Sequence, residues 1–95
     1  MNEVEARLAL VRHLQKYRSH SHAYLATAAC IGRSDRARVA MPGGEKYQID
    51  VQIVWEDLTE GRVKVIASII DNGTRPEGPI TEEFIVNPIG DSVSP

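Results

Sequence analysis

The sequence predicts an α+β domain: one N-terminal helix, or two helical segments, packed on a three- to four-stranded antiparallel β-meander. Three observations carry this expectation. Apolar residues recur at helical spacing over residues 3–18, side chains alternate at period two over residues 47–69, and turn signals separate the alternating runs. A chain of 95 residues is expected to form a single domain, 1–95, with a loose C-terminal tail from about residue 88. Leu, Ile, Val and Phe make up about a quarter of the residues, enough for one modest core. The excess of Val and Ile over Leu leans that core toward sheet.

The first helix opens with a capping box, Asn2 as N-cap and Glu5 at the third helical position. Val4, Leu8 and Val11 fall within about 60° of one another on a helical projection and are read as the centre of the buried stripe. Leu10, Leu14 and Tyr17 widen that stripe on one side, and Glu5, Arg12, His13 and Lys16 take the opposite arc. Residues 19–31 are Ala-rich and admit two readings. Ser19 or Ser21 caps a second helix that Gly32 ends, or the first helix continues through. RSDRAR, residues 33–38, reads as an exposed connection.

Arg38 to Met41 and the turn Pro42-Gly43-Gly44 predict a short strand before the main one. In KYQIDVQIVWE, Tyr47, Ile49, Val51, Ile53 and Trp55 point one way and Gln48, Asp50 and Gln52 the other. After a turn ending at Gly61, RVKVIASIID supplies the next strand. Matching the two apolar sets places Trp55 opposite Val63, Ile53 opposite Val65, Val51 opposite Ala67 and Ile49 opposite Ile69. A slip by one would bring Lys64 opposite Ile53 and spoil the core. DNGTRPEGP, residues 71–79, is the longest turn signal, and its Arg75, between Gly73 and Pro76, admits two readings, a loop gating a binding edge or a plain surface turn. A last strand follows over Ile80 to Val86, with Phe84 and Val86 inward.

Charge divides unevenly. Residues 1–46 hold eight Lys/Arg against four Asp/Glu, and residues 47–95 hold three against nine. The basic part is expected to lie against the acidic part within one fold, since neither contains a dense like-charge run. Cys30, between Ala29 and Ile31, is the single cysteine and is read as buried and inert. One cysteine and an N-terminal segment interrupted by Glu3, Glu5 and Arg7 make the cytoplasm the expected compartment, with no membrane association.

HSHAY, residues 20–24, invites a metal reading, but His20 and His22 converge only on an extended backbone. Joining His13 or Cys30 to them requires tertiary proximity, so metal binding through the histidines is the third reading and no cofactor is expected. No nucleophile elbow or phosphate-binding loop is present, and the adjacent Glu82 and Glu83 point to opposite faces of a strand. A non-enzymatic role is expected. Val54, Ile66, Ile70 and Ile85 fall on the second face of the sheet and mark a protein partner or homodimer surface, unless residues 22–32 cover them. The alternative function is nucleic-acid binding by the basic first half, through Arg12, Lys16, Arg33, Arg36 and Arg38.

Gln52-Ile53-Val54-Trp55-Glu56 resembles the Q-x-V-x-G hairpin of cystatins over five residues, with Glu56 at the glycine position and no Pro-Trp pair in a later loop. A helix followed by an antiparallel meander is also the cystatin plan. The resemblance implies an analogous architecture and nothing about activity.

Overall fold

The computed structural model describes residues 3–40, 44, 46–70, 80–88 and 92–93. Helix α1 spans Glu3–Arg18, as the apolar spacing predicts, with Glu3 and Glu5 in its first turn and Lys16 and Arg18 in its last. This charge order complements the helix dipole. The cap assigned to Asn2 lies outside the described residues. At the other end the Ser19 hydroxyl donates to the Lys16 carbonyl at 2.7 Å, which competes with helix continuation.

The chain therefore breaks, and a second helix, α2, spans His22–Cys30. Ser21 is its N-cap: the side chain accepts from the Tyr24 amide at 3.2 Å. Arg33 N–H donates to Ala28 and Gly32 N–H to Ala29, with Gly32 at φ 66°. This is the hydrogen-bond pattern of a Schellman ending. Of the two readings for residues 19–31, the separate helix is the observed one.

Five strands follow: β1 Ser34–Ala40, β2 Lys46–Asp57, β3 Arg62–Ile70, β4 Ile80–Val86 and β5 Ser92–Val93. They form one antiparallel sheet in sequence order. The β2–β3 register pairs Trp55 with Val63, Ile53 with Val65, Val51 with Ala67 and Ile49 with Ile69, as the pattern requires. β1 corrects the expectation for residues 33–38. RSDRAR is mostly strand, because its backbone pairs with β2 from Ser34↔Gln52 onward while its arginines stay in water on an edge. Of the expected turns, residues 41–43 and 71–79, including Arg75, lie outside the described residues. The region expected as a tail is described only in part, and there Ser92–Val93 pair with β4.

Both helices lie on the same side of the sheet. Leu10, Leu14, Leu25 and Ala28 join Ile49, Val51, Ile53, Val63, Val65, Ile69, Phe84 and Val86 in one core. The side of α1 that faces this core is not the one its apolar spacing suggests. Ala6, Leu10, His13 and Leu14 are buried, whereas Val4, Leu8 and Val11 remain 67%, 54% and 41% exposed. Two polar anchors hold this rotation: Arg7 donates to Glu82 and to the Thr81 carbonyl on β4, and Tyr17 donates to Asp35 on β1 at 2.8 Å. Ala6, beside the first anchor, is fully buried. His13 is accordingly moved from the expected polar arc to the buried one. Cys30, expected to be buried, is exposed on the last turn of α2.

Gln52 to Glu56, the segment resembling the cystatin hairpin, sits inside β2 and pairs with β3 rather than forming a loop. It presents no wedge.

Candidate binding surfaces

The first candidate surface is the sheet face turned away from both helices. Alternation along β2, β3 and β4 sends Val54, Ile66 and Ile85 to this side, where Val54 is exposed and the two isoleucines are half-buried. The pairing makes them neighbours. Lys64 lies between Val54 and Ile85, and Ile66 lies between Gln52 and Glu83. Ile66 is thus diagonal to both other apolar residues. Ile70 is described only by its backbone pairing with Gln48. One ion pair, Lys64–Glu83 at 3.3 Å, lies within the cluster, and another, Arg36–Asp50 at 3.4 Å, lies nearer β1. Since α2 packs beside α1 on the other side, neither helix covers these residues.

The second surface is a groove of about 320 Å³ between α1 and the end of β1. Leu8, Ala9, Val39 and Ala40 supply its apolar lining, and Arg12, Lys16 and Glu5 its charges. His13 forms part of the wall although it is only 9% exposed. Burial, reinforced by the positive charge of Lys16, pushes its pKa below the usual imidazole value, which favours a neutral ring. The helical spacing already puts Arg12, His13 and Lys16 on one arc; what the sequence does not show is that Val39 and Ala40 of β1 stand opposite them.

HSHAY has a structural account. The His22 Nε2–H donates to the Gly61 carbonyl at 2.6 Å and ties the start of α2 to the β2–β3 turn. Gly61 holds φ 75°, and an added Cβ there would meet the Pro88 side chain at 3.0 Å. His20 stacks on Tyr24 with ring centroids 4.1 Å apart. Arg33 donates to the Tyr24 hydroxyl at 2.8 Å and to Asp35 at 3.3 Å, and Tyr17 donates to the same carboxylate. Burial first, then the bond to Asp35, raises the Tyr17 pKa to about 12. No group of three or more His, Cys, Asp or Glu gathers at one point among the described residues.

The basic residues proposed for nucleic acid are divided among three places. Arg12 and Lys16 line the groove, Arg33 is held by Asp35 and Tyr24, and Arg36 and Arg38 lie on the far face of β1. They do not form one track for a phosphate backbone. Among the described residues no helix is long and apolar enough to cross a membrane. No protein-family model matches the chain, and no curated protein or solved structure matches it significantly.

Proposed function

We propose that this domain is a non-enzymatic protein-interaction module that self-associates through the open face of its sheet. The observation that carries the reading is the placement of both helices on one side, which leaves Val54, Ile66 and Ile85 clustered on the other. A second copy suits this face because it carries both charge signs. Under a two-fold axis, Lys64 and Arg36 of one copy can approach Glu83 and Asp50 of the other. A patch of this kind is a common signature of association. The compartment proposed is the cytoplasm, where the exposed thiol of Cys30 stays reduced.

Size sets the expected strength. Four strands at about 4.8 Å and seven residues at about 3.3 Å make a face roughly 20 by 23 Å. That falls short of the ~800 Å² per partner in a standard stable interface, so the dimer is expected to be weak and concentration-dependent. Sedimentation equilibrium from low micromolar to millimolar protein should show the mass doubling, and Val54→Glu with Ile66→Glu should abolish the doubling while the circular dichroism is kept. A monomer throughout that range ends the reading.

A further inference from the structure

We infer that the groove between α1 and β1 is a binding site for a small monocarboxylate with a compact apolar body. It is independent of self-association, which uses the opposite side of the sheet.

The first support is a contrast among the cations. Arg7, Arg33, Arg36, Arg62 and Lys64 each have a carboxylate within ion-pair distance. Arg12 and Lys16, like Arg38 and Lys46, have none among the described residues, but Arg12 and Lys16 both border the groove and stand one helical turn apart where like charges repel. An anion between them would relieve that repulsion.

The second support is His13. Nine-tenths of its surface is buried, but no buried side-chain nitrogen or oxygen among the described residues is left without a partner, so its ring nitrogens are not orphaned and keep access to solvent. Its surroundings otherwise fit a packed ring: Tyr17 lies 6.0 Å away between centroids. Water serves such an accessible nitrogen as a partner in the free protein, and a ligand oxygen can replace it. His13 lines the groove, so a bound ligand is positioned to supply one. The neutral ring offers one N–H to a carboxylate oxygen without adding a third positive charge.

The third support is the shape and polarity of the remainder. Leu8, Ala9, Val39 and Ala40 give the groove an apolar body, and its 320 Å³ sits at the small end of the range for ligand pockets, about 300–1,000 Å³. Inorganic phosphate would leave this part unfilled. Glu5, two helical turns from Arg12 along α1, sets the far end against a second negative charge. The arrangement selects one anionic head and an uncharged tail.

Octanoate is the test probe, titrated into the full-length protein and followed by amide and histidine-ring NMR shifts. The expected result is saturable binding with one midpoint at Ala9, Arg12, Lys16, Val39 and the His13 ring. Octanol should bind roughly tenfold or more weakly, the loss expected for one charge-assisted contact worth about 1.4 kcal/mol. Octylammonium and inorganic phosphate should leave these signals in place. Arg12→Gln with Lys16→Gln should weaken octanoate at least tenfold, and Ala9→Leu, which narrows the groove without altering charge, should weaken octanol and octanoate alike. Both variants are checked for an unchanged fold by circular dichroism. The inference is overturned if octanol matches octanoate, if the shifts map to Val54 and Ile66, or if no shift saturates. It is equally overturned if phosphate or a short single-stranded oligonucleotide binds the groove as well as octanoate does.

Discussion

The two flanks of α1 are built from similar residues and differ in what answers their charges. On the flank toward β4, Arg7 bonds to Glu82, to the Thr81 carbonyl and, one turn back, to Glu3. Its polar atoms are used within the fold. On the flank toward β1, Arg12 and Lys16 border an open groove with no carboxylate within ion-pair distance among the described residues. Both flanks carry cations, so the presence of positive charge alone does not distinguish a structural face from a receptive one. What distinguishes them is the opposing strand: β4 offers Glu82 beside Arg7, whereas β1 offers Val39 and Ala40 beside Arg12.

The largest test of this picture concerns the core on which both flanks rest. Phe84 is fully buried, and the Arg18 guanidinium lies 4.4 Å from its ring centroid. Phe84→Ala should cost about 3–5 kcal/mol in urea unfolding, because it leaves a cavity as well as losing burial. Val54→Ala, on the open face, should stay within about 0.5 kcal/mol at concentrations where the chain is monomeric. Comparable losses at the two sites would show that the second face is covered.

Next comes the Tyr17–Asp35 bond, which fixes the β1 end of the helix. Tyr17→Phe should lower stability by about 1 kcal/mol at neutral pH. The raised pKa adds a pH signature, since the folded chain keeps a proton that the unfolded chain releases at 10.0. Stability from this group is complete below pH 10 and lost as pH rises toward 12. Ultraviolet titration should show one tyrosine ionising near 12, a step absent in Tyr17→Phe. All three tyrosines titrating together near 10 would remove the anchor.

His13 gives a smaller effect of opposite direction. Its folded pKa is depressed from 6.5, so the unfolded chain takes up a proton that the folded chain resists. Stability should be full above pH 6.5 and decline as pH falls below it. Urea midpoints at pH 7.5 and 5.5 measure the decline, which should shrink in His13→Phe; an equal decline in that variant would assign it elsewhere. The smallest effect separates the flanks directly. Arg7→Ala should lower Tm slightly, whereas Arg12→Ala should leave it unchanged or raise it, since only the first loses an internal partner.

Period-two alternation made the sheet legible. Tyr47 to Ile69 could place its odd-numbered side chains inward in only one register, and a slip would have buried Lys64. α1 was legible as a helix and misread in rotation. Val4, Leu8 and Val11 have the tighter apolar spacing, but Leu10, Leu14 and Tyr17 face the core because Arg7 and Tyr17 find polar partners on β4 and on β1, at opposite flanks of the same sheet face. Those partners are Glu82 and Asp35, far away in sequence, and no helical projection contains them. RSDRAR was misread for a related reason: an edge strand needs only one bonded side and tolerates exposed arginines.

The residues by themselves determined that this chain is a helical segment followed by an antiparallel meander, that Glu82 and Glu83 part to opposite faces, and that Val54, Ile66 and Ile85 share one. These are consequences of backbone period, a local property. Tertiary structure decided which side of α1 is dry, that α2 joins α1 so that neither helix covers the far sheet face, and that Arg12, His13 and Lys16 meet Val39 across a groove. Each depends on which distant groups satisfy one another, and the free energy of burial and pairing is settled between elements rather than within them.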